Sequence, residues 1–250
     1  MRFRMGACTQ PTGHRQKTSL QIAYSETHLK FVIFLALARS AGAAIIVINA
    51  LEKDHQSLTA QPYRYAIAYK PFNVLCANKD RYGRPALIDM GIPRTLHAAG
   101  RLDLDSEGLL LLTDDGALLH RITHPDFSHP KTYLAAVVGH PDTAILEQLR
   151  DGVKIKGGIT RPADVEVLPS APALPPFPKP LAAPAKTTWL RMVLYEGKKR
   201  QIKRMLSAVT LPIIRLVRVA IGPLTLPPDL EPGQWRDLTV AEQRALLDWV

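Results

Sequence analysis

Two aspartates near the middle of the chain lie in a setting that could support chemistry. The segment GRLDLDSEG, residues 100–108, carries Asp103 and Asp105, with Arg101 two positions before the first of them. An ionised carboxylate beside a cation can act as a nucleophile, and two carboxylates could instead ligate Mg²⁺. The same residues would also suit an ordinary turn in which an aspartate caps backbone N–H groups. The segment is therefore a candidate catalytic loop with these alternatives open.

A second candidate is the basic run at residues 186–218, which holds nine Lys/Arg and one acidic residue. Five of these cations fall within seven positions: Lys198, Lys199, Arg200, Lys203 and Arg204. With so few acids to pair with, the cations repel one another unless phosphate groups lie nearby. Gln201 and Ile202 interrupt the charge, which suits a site that holds both a nucleic-acid backbone and a base. A plain solvated helix face is the alternative.

The histidines do not form a metal-binding pattern. His120 and His124 are four positions apart, but Pro125 ends any helix at that point. The sequence predicts neither a metal site nor a cofactor. Tyr133, in the strand-like segment KTYLAAVVG, is either a core residue or a ring that stacks on a flipped base.

Composition narrows the class of protein. The chain has 250 residues, a formal net charge of +10 and a pI near 9.8, values that suggest a nucleic-acid partner. The two cysteines, Cys8 and Cys76, exclude a disulfide framework and a CxxC zinc site. We expect a reducing compartment, the cytoplasm.

The elements that must position these residues can be predicted from periodicity. Strands are predicted at 63–71, 109–112, 131–139, 187–197 and 212–222, and helices at 117–122, 141–150 and 198–209. Asp115 or Thr113 is expected to cap the first of these helices. The irregular mixture favours an α+β fold, with a mixed, mainly antiparallel sheet flanked by helices around a basic cleft.

Two segments stand outside this pattern. Residues 31–50 are apolar over about the length of a membrane span, but Arg39 interrupts them, so we expect no membrane association. Residues 169–184 contain seven prolines in sixteen positions and predict an exposed, polyproline-like loop inserted within the domain.

Three motifs in one order then reveal a resemblance: GRLDLDSEGLLLLTDDG, KTYLAAVVG, and LYEGKKRQIKRM followed by IIRLVRVAIGPLTL. Together with YKPFNVLC before them and PGQWRDLT after them, they resemble the ribosomal RNA pseudouridine synthases of the small-subunit-type branch. The resemblance runs from residue 64 to residue 242. It implies the catalytic core of that family.

The resemblance also implies roles for individual residues. Asp103 matches the nucleophile, Arg101 the arginine that fills the stack when the uridine leaves it, and Tyr133 the tyrosine that packs against the target base. Lys198 matches the basic residue that pairs with the nucleophile, and Ile202 the apolar residue that lines the uracil pocket.

Other motif residues are expected to bind or support. Asp105 and Ser106 match the pattern without a catalytic role, and substrate-binding phosphate contacts are expected from Lys199, Arg200, Lys203 and Arg204. The catalytic domain is predicted to span 61–250 with its insertion at 169–184. Residues 1–60 would be an extension without an S4-type RNA-binding domain.

The resulting hypothesis is an enzyme that isomerises a specific uridine in large-subunit ribosomal RNA or its precursor particle, acting as a monomer. This reaction is redox neutral and needs one ionised carboxylate, a pocket for an extruded uridine and a cationic surface. One alternative is a metal-dependent nuclease or phosphotransferase that uses Asp103 and Asp105. Another is a non-catalytic ribosomal RNA-binding assembly protein that uses only the basic helix.

Overall fold

A computed structural model of the protein describes residues 63–77, 80–179 and 186–250. The predictions for residues 1–60, including the apolar stretch at 31–50, lie outside the described residues. Within the described part of the chain, no helix is long and apolar enough to cross a membrane.

A mixed sheet forms the centre of this region. In chain order the strands are β1 (Tyr65–Lys70), β2 (His97–Ala98), β3 (Glu107–Thr113), β4 (Lys131–Val138), β5 (Lys154–Ile155), β6 (Gly158–Ile159), β7 (Asp164–Val167), β8 (Thr187–Leu194), β9 (Ile213–Ile221), β10 (Leu224–Thr225) and β11 (Trp235–Asp237). The main order across the sheet is β11-β1-β3-β9-β4-β8-β7, while β2 pairs with β3, β10 pairs with β9, and β5 and β6 form a separate hairpin. Of the pairs between these strands, β3 with β9 is parallel and the others are antiparallel. The predicted α+β fold with a mainly antiparallel sheet is confirmed.

In the described part of the chain, four helices flank the strands: α1 (Gly116–Thr123), α2 (Thr143–Asp151), α3 (Gln201–Ala208) and α4 (Val240–Trp249). Short 3₁₀ turns form at Leu87–Met90 and Pro125–Phe127. Of the two caps predicted for α1, Asp115 or Thr113, the structure forms the first: the Asp115 carboxylate accepts from the N–H groups of Ala117 and Leu118. By contrast, α3 follows Arg200 in a left-handed conformation and has no side-chain cap.

Strand β3 is buried along its whole length because the sheet is covered on both faces there. Leu109 and Leu111 pack with residues of α1 and α4, whereas Leu110 and Leu112 pack into a second cluster around the Leu87–Met90 turn. A third cluster joins β4, β8 and β9 to α2 and α3. This double burial explains the continuous apolar run in the sequence. It also gives the loop that precedes β3 a rigid support.

The proline-rich segment lacks helix and strand from residue 169 to residue 179, as the composition predicts. It does not, however, extend freely into solvent. Phe177 is half-buried and its ring meets Phe72 edge-on, with the centroids 5.3 Å apart. The expectation of a fully exposed loop is wrong at this residue, because an aromatic side chain finds apolar surface on the domain.

Candidate active site

The loop that carries Asp103 and Asp105 joins β2 to β3. Its backbone is tied to neighbouring segments: the N–H of Ala99 donates to Leu111 O at 2.8 Å, and the N–H of Asn73 donates to Leu104 O at 2.9 Å. Asp103 and Asp105 are both half-buried in it. A reactive carboxylate must be accessible to the substrate and fixed in position, and a hydrogen-bonded backbone with partly exposed carboxylates meets both requirements.

Lys70, at the end of β1, makes hydrogen bonds to the backbone of this loop. Its side chain is fully buried, and its ammonium donates to the carbonyls of Pro71 at 2.8 Å and Ser106 at 2.7 Å. Burial lowers the pKa of Lys70 to about 8 because the charged form loses its hydration. The Lys70 ammonium thus supports the candidate catalytic loop by buried hydrogen bonds to its backbone.

Arg218, in β9, makes hydrogen bonds to the backbone near both ends of the same loop. Its buried guanidinium donates through Nη2 to Gly100 O and through Nε to Leu109 O, each at 2.8 Å. The strands approach closely here because position 108 is a glycine with φ of 106°. A Cβ at Gly108 would overlap the backbone of Arg218. Gly108 therefore allows the parallel pairing that brings Arg218 to the loop.

A cavity of about 750 Å³ opens beside the loop and contains most of the predicted site. The predicted site residues that line it are Arg101, Asp103, Tyr133, Lys198, Lys199, Arg200, Ile202 and Lys203. Leu194 and Leu216 add apolar surface. Its size is within the range of small-molecule pockets. A carboxylate, several cations and an apolar floor in one cavity suit an extruded nucleotide.

Asp105 connects the loop to the start of α3. Its carboxylate accepts a bidentate pair of hydrogen bonds from Arg200 at 2.9 and 3.0 Å, and its Oδ1 lies 2.6 Å from Lys203 Nζ. Although burial opposes it, these hydrogen bonds hold the pKa of Asp105 well below its usual range. Asp105 is thereby fixed as an anion.

Asp103 lies within electrostatic range of the same two cations. The pKa of Arg200 is raised, chiefly by its hydrogen bond to Asp105 and in smaller part by the charge of Asp103. For Lys203, burial lowers the pKa, while the charges of Asp105 and Asp103 oppose that change. The site therefore places a carboxylate in the loop before a buried strand, in a basic surrounding, within a cavity large enough for a nucleotide.

Comparison with known proteins agrees with this geometry. The sequence pattern of the family described as "RNA pseudouridylate synthase" matches residues 64–208, more than half of the chain. The chain belongs to this family. It is a pseudouridine synthase, an isomerase that acts on RNA.

Individual relatives cover about two thirds or more of this chain. "Ribosomal large subunit pseudouridine synthase E" of Xanthomonas campestris pv. campestris is 51% identical over 172 residues, which cover 67% of this chain and 91% of that protein. The protein of the same name from Vibrio vulnificus is 42% identical over 193 residues, 76% of this chain and 81% of that protein. A solved structure described as a crystal structure of pseudouridylate synthase shares 31% identity and a TM-score of 0.62, with 74% of each chain covered.

One expected contact of this pseudouridine synthase is not formed. The sequence predicts that Lys198 pairs with Asp103, but the Lys198 ammonium donates to Ile159 O at 2.7 Å and lies 3.1 Å from Glu196 Oε2. Lys198 still lines the cavity, so it remains near the site. Its charge is nevertheless directed to Glu196, two residues away on the same turn.

Glu196 organises that turn. Its carboxylate also accepts from the N–H of Arg161 at 2.8 Å and from Gln201 Nε2 at 2.6 Å. Burial would raise the pKa of Glu196, but these bonds and Lys198 lower it. Gln201 is buried and its Oε1 accepts from the Lys198 N–H. Gln201 and Lys198, the latter predicted to pair with the nucleophile, thus shape the turn that begins α3.

The remaining basic residues separate into different environments. Lys199 is exposed at the cavity, as a phosphate-binding residue would be. Arg204 donates to Lys156 O at 3.1 Å on the β5–β6 hairpin and does not line the cavity. Arg215 and Arg218, counted in the basic run, are buried in β9. The run is therefore not one uniform surface.

The sequence interpretation did not identify three buried cations around the site. Lys70 and Arg218 support the loop, and Lys131 donates to Ile122 O at 3.1 Å and His129 O at 2.9 Å beside the cavity. Burial lowers the pKa of Lys131 to about 8. Each lies in or at the end of a strongly apolar strand, and a cation in such a strand is a signal for an internal role.

The metal-dependent alternative finds no support in this arrangement. Both oxygens of Asp105 already accept from Arg200, and Lys203 adds a third contact. In the described ranges, no group of three or more His, Cys, Asp and Glu side chains could surround a metal ion. The nuclease interpretation requires such a group near Asp103.

Proposed function

We propose that this pseudouridine synthase isomerises a specific uridine of large-subunit ribosomal RNA, with Asp103 as the nucleophile. The two relatives with the names given above, at 51% and 42% identity, support the choice of the large subunit. The net charge of +10 supports a polyanionic substrate.

The observation that carries the proposal is the position of Asp103. It lies half-buried in the 750 Å³ cavity, on a loop held by Lys70 and Arg218, and near the cations of Arg200 and Lys203. An ionised carboxylate is the nucleophilic form. The loop anchors hold that carboxylate in place and so reduce the cost of reaching the reactive geometry.

The reaction exchanges one bond for another within the substrate. The Asp103 carboxylate attacks the sugar or the base, the N1–C1′ bond breaks, and the base reattaches through C5 after it turns in the pocket. The hydrogen on C5 leaves as a proton and N1 gains one, so the change is redox neutral. The pocket must hold the base without bonding it rigidly, a task suited to Tyr133 and Ile202 on the cavity wall.

Arg101 suits a different role. It is exposed at the mouth of the cavity, two residues before Asp103. A guanidinium can stack on bases, and extrusion of a nucleotide costs a few kcal/mol of stacking and pairing. Arg101 would offset part of that cost by occupying the gap in the RNA.

The test replaces Asp103 with asparagine, which keeps the size and the hydrogen-bonding capacity but removes the charge. Tritium release from RNA labelled at uridine C5 should fall to background, while RNA affinity changes by less than about threefold because binding depends on the cations. Asp105→Asn, on the same loop, is the matched control and should retain turnover. Full tritium release by Asp103→Asn would overturn the mechanism.

The substrate is tested separately. Pseudouridines should be mapped in ribosomal RNA from cells with and without the gene, and one position in the large-subunit RNA should lose its modification. Restoring the wild-type gene should recover it, whereas Asp103→Asn should not. A missing modification in small-subunit RNA alone would contradict the proposed substrate.

A further inference from the structure

A second, smaller cavity lies beside the first one. It has a volume of about 320 Å³ and is bounded by Asp105, Ile213, Ile214 and Leu216. Its remaining lining residues are aromatic or cationic: Phe72, Phe177, Lys179, Arg200, Lys203 and Arg215. Arg200, Lys203 and Leu216 line both cavities and form the wall between them.

The proline-rich segment supplies one side of this second cavity. Phe177 packs edge-on against Phe72, and the Arg215 guanidinium lies over the Phe177 ring, 5.1 Å from its centroid. The Lys179 ammonium lies over the Phe72 ring at 4.7 Å. Both distances are within the range of cation–π contacts. The insertion therefore brings an aromatic ring and a cation to the edge of the candidate active site.

The charges of the cavity favour an anion. Four cations line it against one carboxylate, Asp105, which already binds Arg200 and Lys203. Arg215 is neutralised by Glu107 in a buried bidentate pair. Lys179 is exposed, and no acidic side chain in the described ranges forms an ion pair with it. Lys179 is thus available to a phosphate.

Size and chemistry together indicate the ligand. A volume of about 320 Å³ is near the lower end of ligand pockets and would hold one nucleotide rather than a peptide segment. Aromatic rings beside cations are the combination that binds single-stranded nucleic acid, because every base has a face for stacking. If each cavity held one nucleoside, the phosphate between the two nucleosides would lie beside Arg200 and Lys203, which line both cavities.

We propose that the second cavity binds the nucleotide adjacent to the target uridine, with its phosphate held by Lys179 and Arg200 and its base against Phe72 and Phe177. This proposal rests on the proposed function, since it requires a uridine in the first cavity. It gives the proline-rich insertion a role in substrate selection. The simpler alternative is that Phe177 only fastens the insertion to the domain.

The experiment uses the full chain and a stem-loop RNA that contains the mapped uridine labelled at C5. In two further RNAs, the 5′ or the 3′ neighbour of that uridine is replaced by an abasic nucleotide. For the wild type, one of the two abasic RNAs should react about tenfold more slowly in kcat/KM, the effect of one stacked base. Phe177→Leu should lose a similar factor on the intact RNA and little more on that abasic RNA.

Two further variants complete the test. Lys179→Ala should lower kcat/KM on the intact and the abasic RNA alike, because it removes a phosphate contact. Lys186→Ala removes the same charge from an exposed position that lines neither cavity, and should match the wild type. Thermal unfolding should show that Phe177→Leu keeps its stability, since leucine preserves the apolar contact.

The outcomes separate the two proposals. Wild-type rates on intact RNA for both Phe177→Leu and Lys179→Ala would overturn the second site and leave the proposed function in place. An equal loss for Phe177→Leu on intact and abasic RNA would also overturn it, because the ring would then act only through structure. A wild-type protein that releases no tritium from ribosomal RNA would overturn the proposed function, and this inference with it.

Discussion

The candidate catalytic loop, residues 99–106, has charged side chains on two sides, and the two sides differ in how deeply these side chains are buried. On the anchor side, formed by Lys70, Glu107, Arg215 and Arg218, every side chain is buried. On the open side, formed by Asp105, Arg200 and Lys203, the Asp105 and Arg200 side chains each keep 41% exposure, while that of Lys203 keeps 10%. The anchor side is already satisfied by backbone carbonyls and by one internal ion pair, whereas the open side can exchange partners with RNA.

This difference indicates which charges set geometry and which ones bind. A buried ion pair loses hydration that only its partner replaces, so breaking it is costly. A partly exposed pair is screened by water and salt and contributes little to stability. We therefore expect variants on the anchor side to change unfolding, and variants of the open-side cations Arg200 and Lys203 to change RNA binding and rate.

The largest effect is expected from the Glu107–Arg215 pair. Arg215 Nε and Nη2 donate to the two Glu107 oxygens at 2.9 and 3.1 Å, and both side chains are at most 5% exposed. Arg215→Met leaves a buried carboxylate without a partner and should lower the free energy of unfolding by about 3–5 kcal/mol. Urea unfolding measures this change in the free energy of unfolding.

Two controls sharpen this comparison. Asp105→Asn, on the open side, should cost no more than about 1 kcal/mol of unfolding free energy. The double variant Glu107→Gln/Arg215→Met removes both charges and should recover part of the loss. An equal loss for Arg215→Met and Asp105→Asn would contradict the distinction between the two sides.

The next effect is a rise of stability with pH. In the folded protein the pKa values of Lys70 and Lys131 are lowered by burial from 10.5 to about 8. Between these values the unfolded chain binds more protons, so the free energy of unfolding should rise with pH, by about 1 kcal/mol per pH unit for each lysine. The trend reverses near pH 10, because burial raises the pKa of Tyr69 to about 12. Above pH 10 the unfolded chain loses the tyrosine proton before the folded protein does, so the free energy of unfolding falls.

Urea unfolding at pH 7.5, 8.5 and 9.5 checks this window. The Lys131→Met variant removes one of the lysines whose pKa is lowered by burial and should show a clearly smaller slope. A flat profile in the wild type would mean that these lysines keep an ordinary pKa in the folded state.

How much could be predicted from the sequence depended on whether the signal was local. The strand at 109–112 and the Asp115 cap were predictable, because an apolar run between turns and a capping residue act over a few positions. The family motifs located most of the cavity lining in advance. The fold class followed from the irregular order of these local elements.

The partners of the charged residues were not predictable in the same way. Glu107 and Arg215 are 108 positions apart, and Arg218 and Gly100 are 118 apart. Lys198 was assigned to Asp103, but Glu196 is closer in the chain and is oriented by the distant Arg161 N–H. A count of cations cannot tell a buried arginine from a surface one. The contact of Phe177 with Phe72 likewise depends on packing across the fold.

The corrected partner of Lys198 leads to a kinetic comparison on the open side. Lys203 forms an ion pair with Asp105, two residues from Asp103, whereas the ammonium of Lys198 is bound by Glu196 and Ile159. Lys203→Met should lower the single-turnover rate at saturating enzyme by on the order of tenfold, because less positive charge stabilises the reactive carboxylate. Lys198→Met should lower it less. The reverse ranking would restore the role first assigned to Lys198.

The smallest effect is expected from Lys199, the exposed cation at the cavity. It has no ion-pair partner in the part of the chain that the structure describes, so it can contact an RNA phosphate without first breaking a bond. Lys199→Ala should weaken RNA binding and reduce the slope of log affinity against log salt by about 0.7–0.9, the value for one phosphate contact. Filter binding across a salt series measures this slope.

Lys154→Ala, exposed on β5 and outside both cavities, removes the same charge and should leave the slope unchanged. If both variants reduce the slope equally, the basic surface acts only through its total charge. If Lys199→Ala alone does so, the open side contains a defined phosphate position next to the catalytic loop.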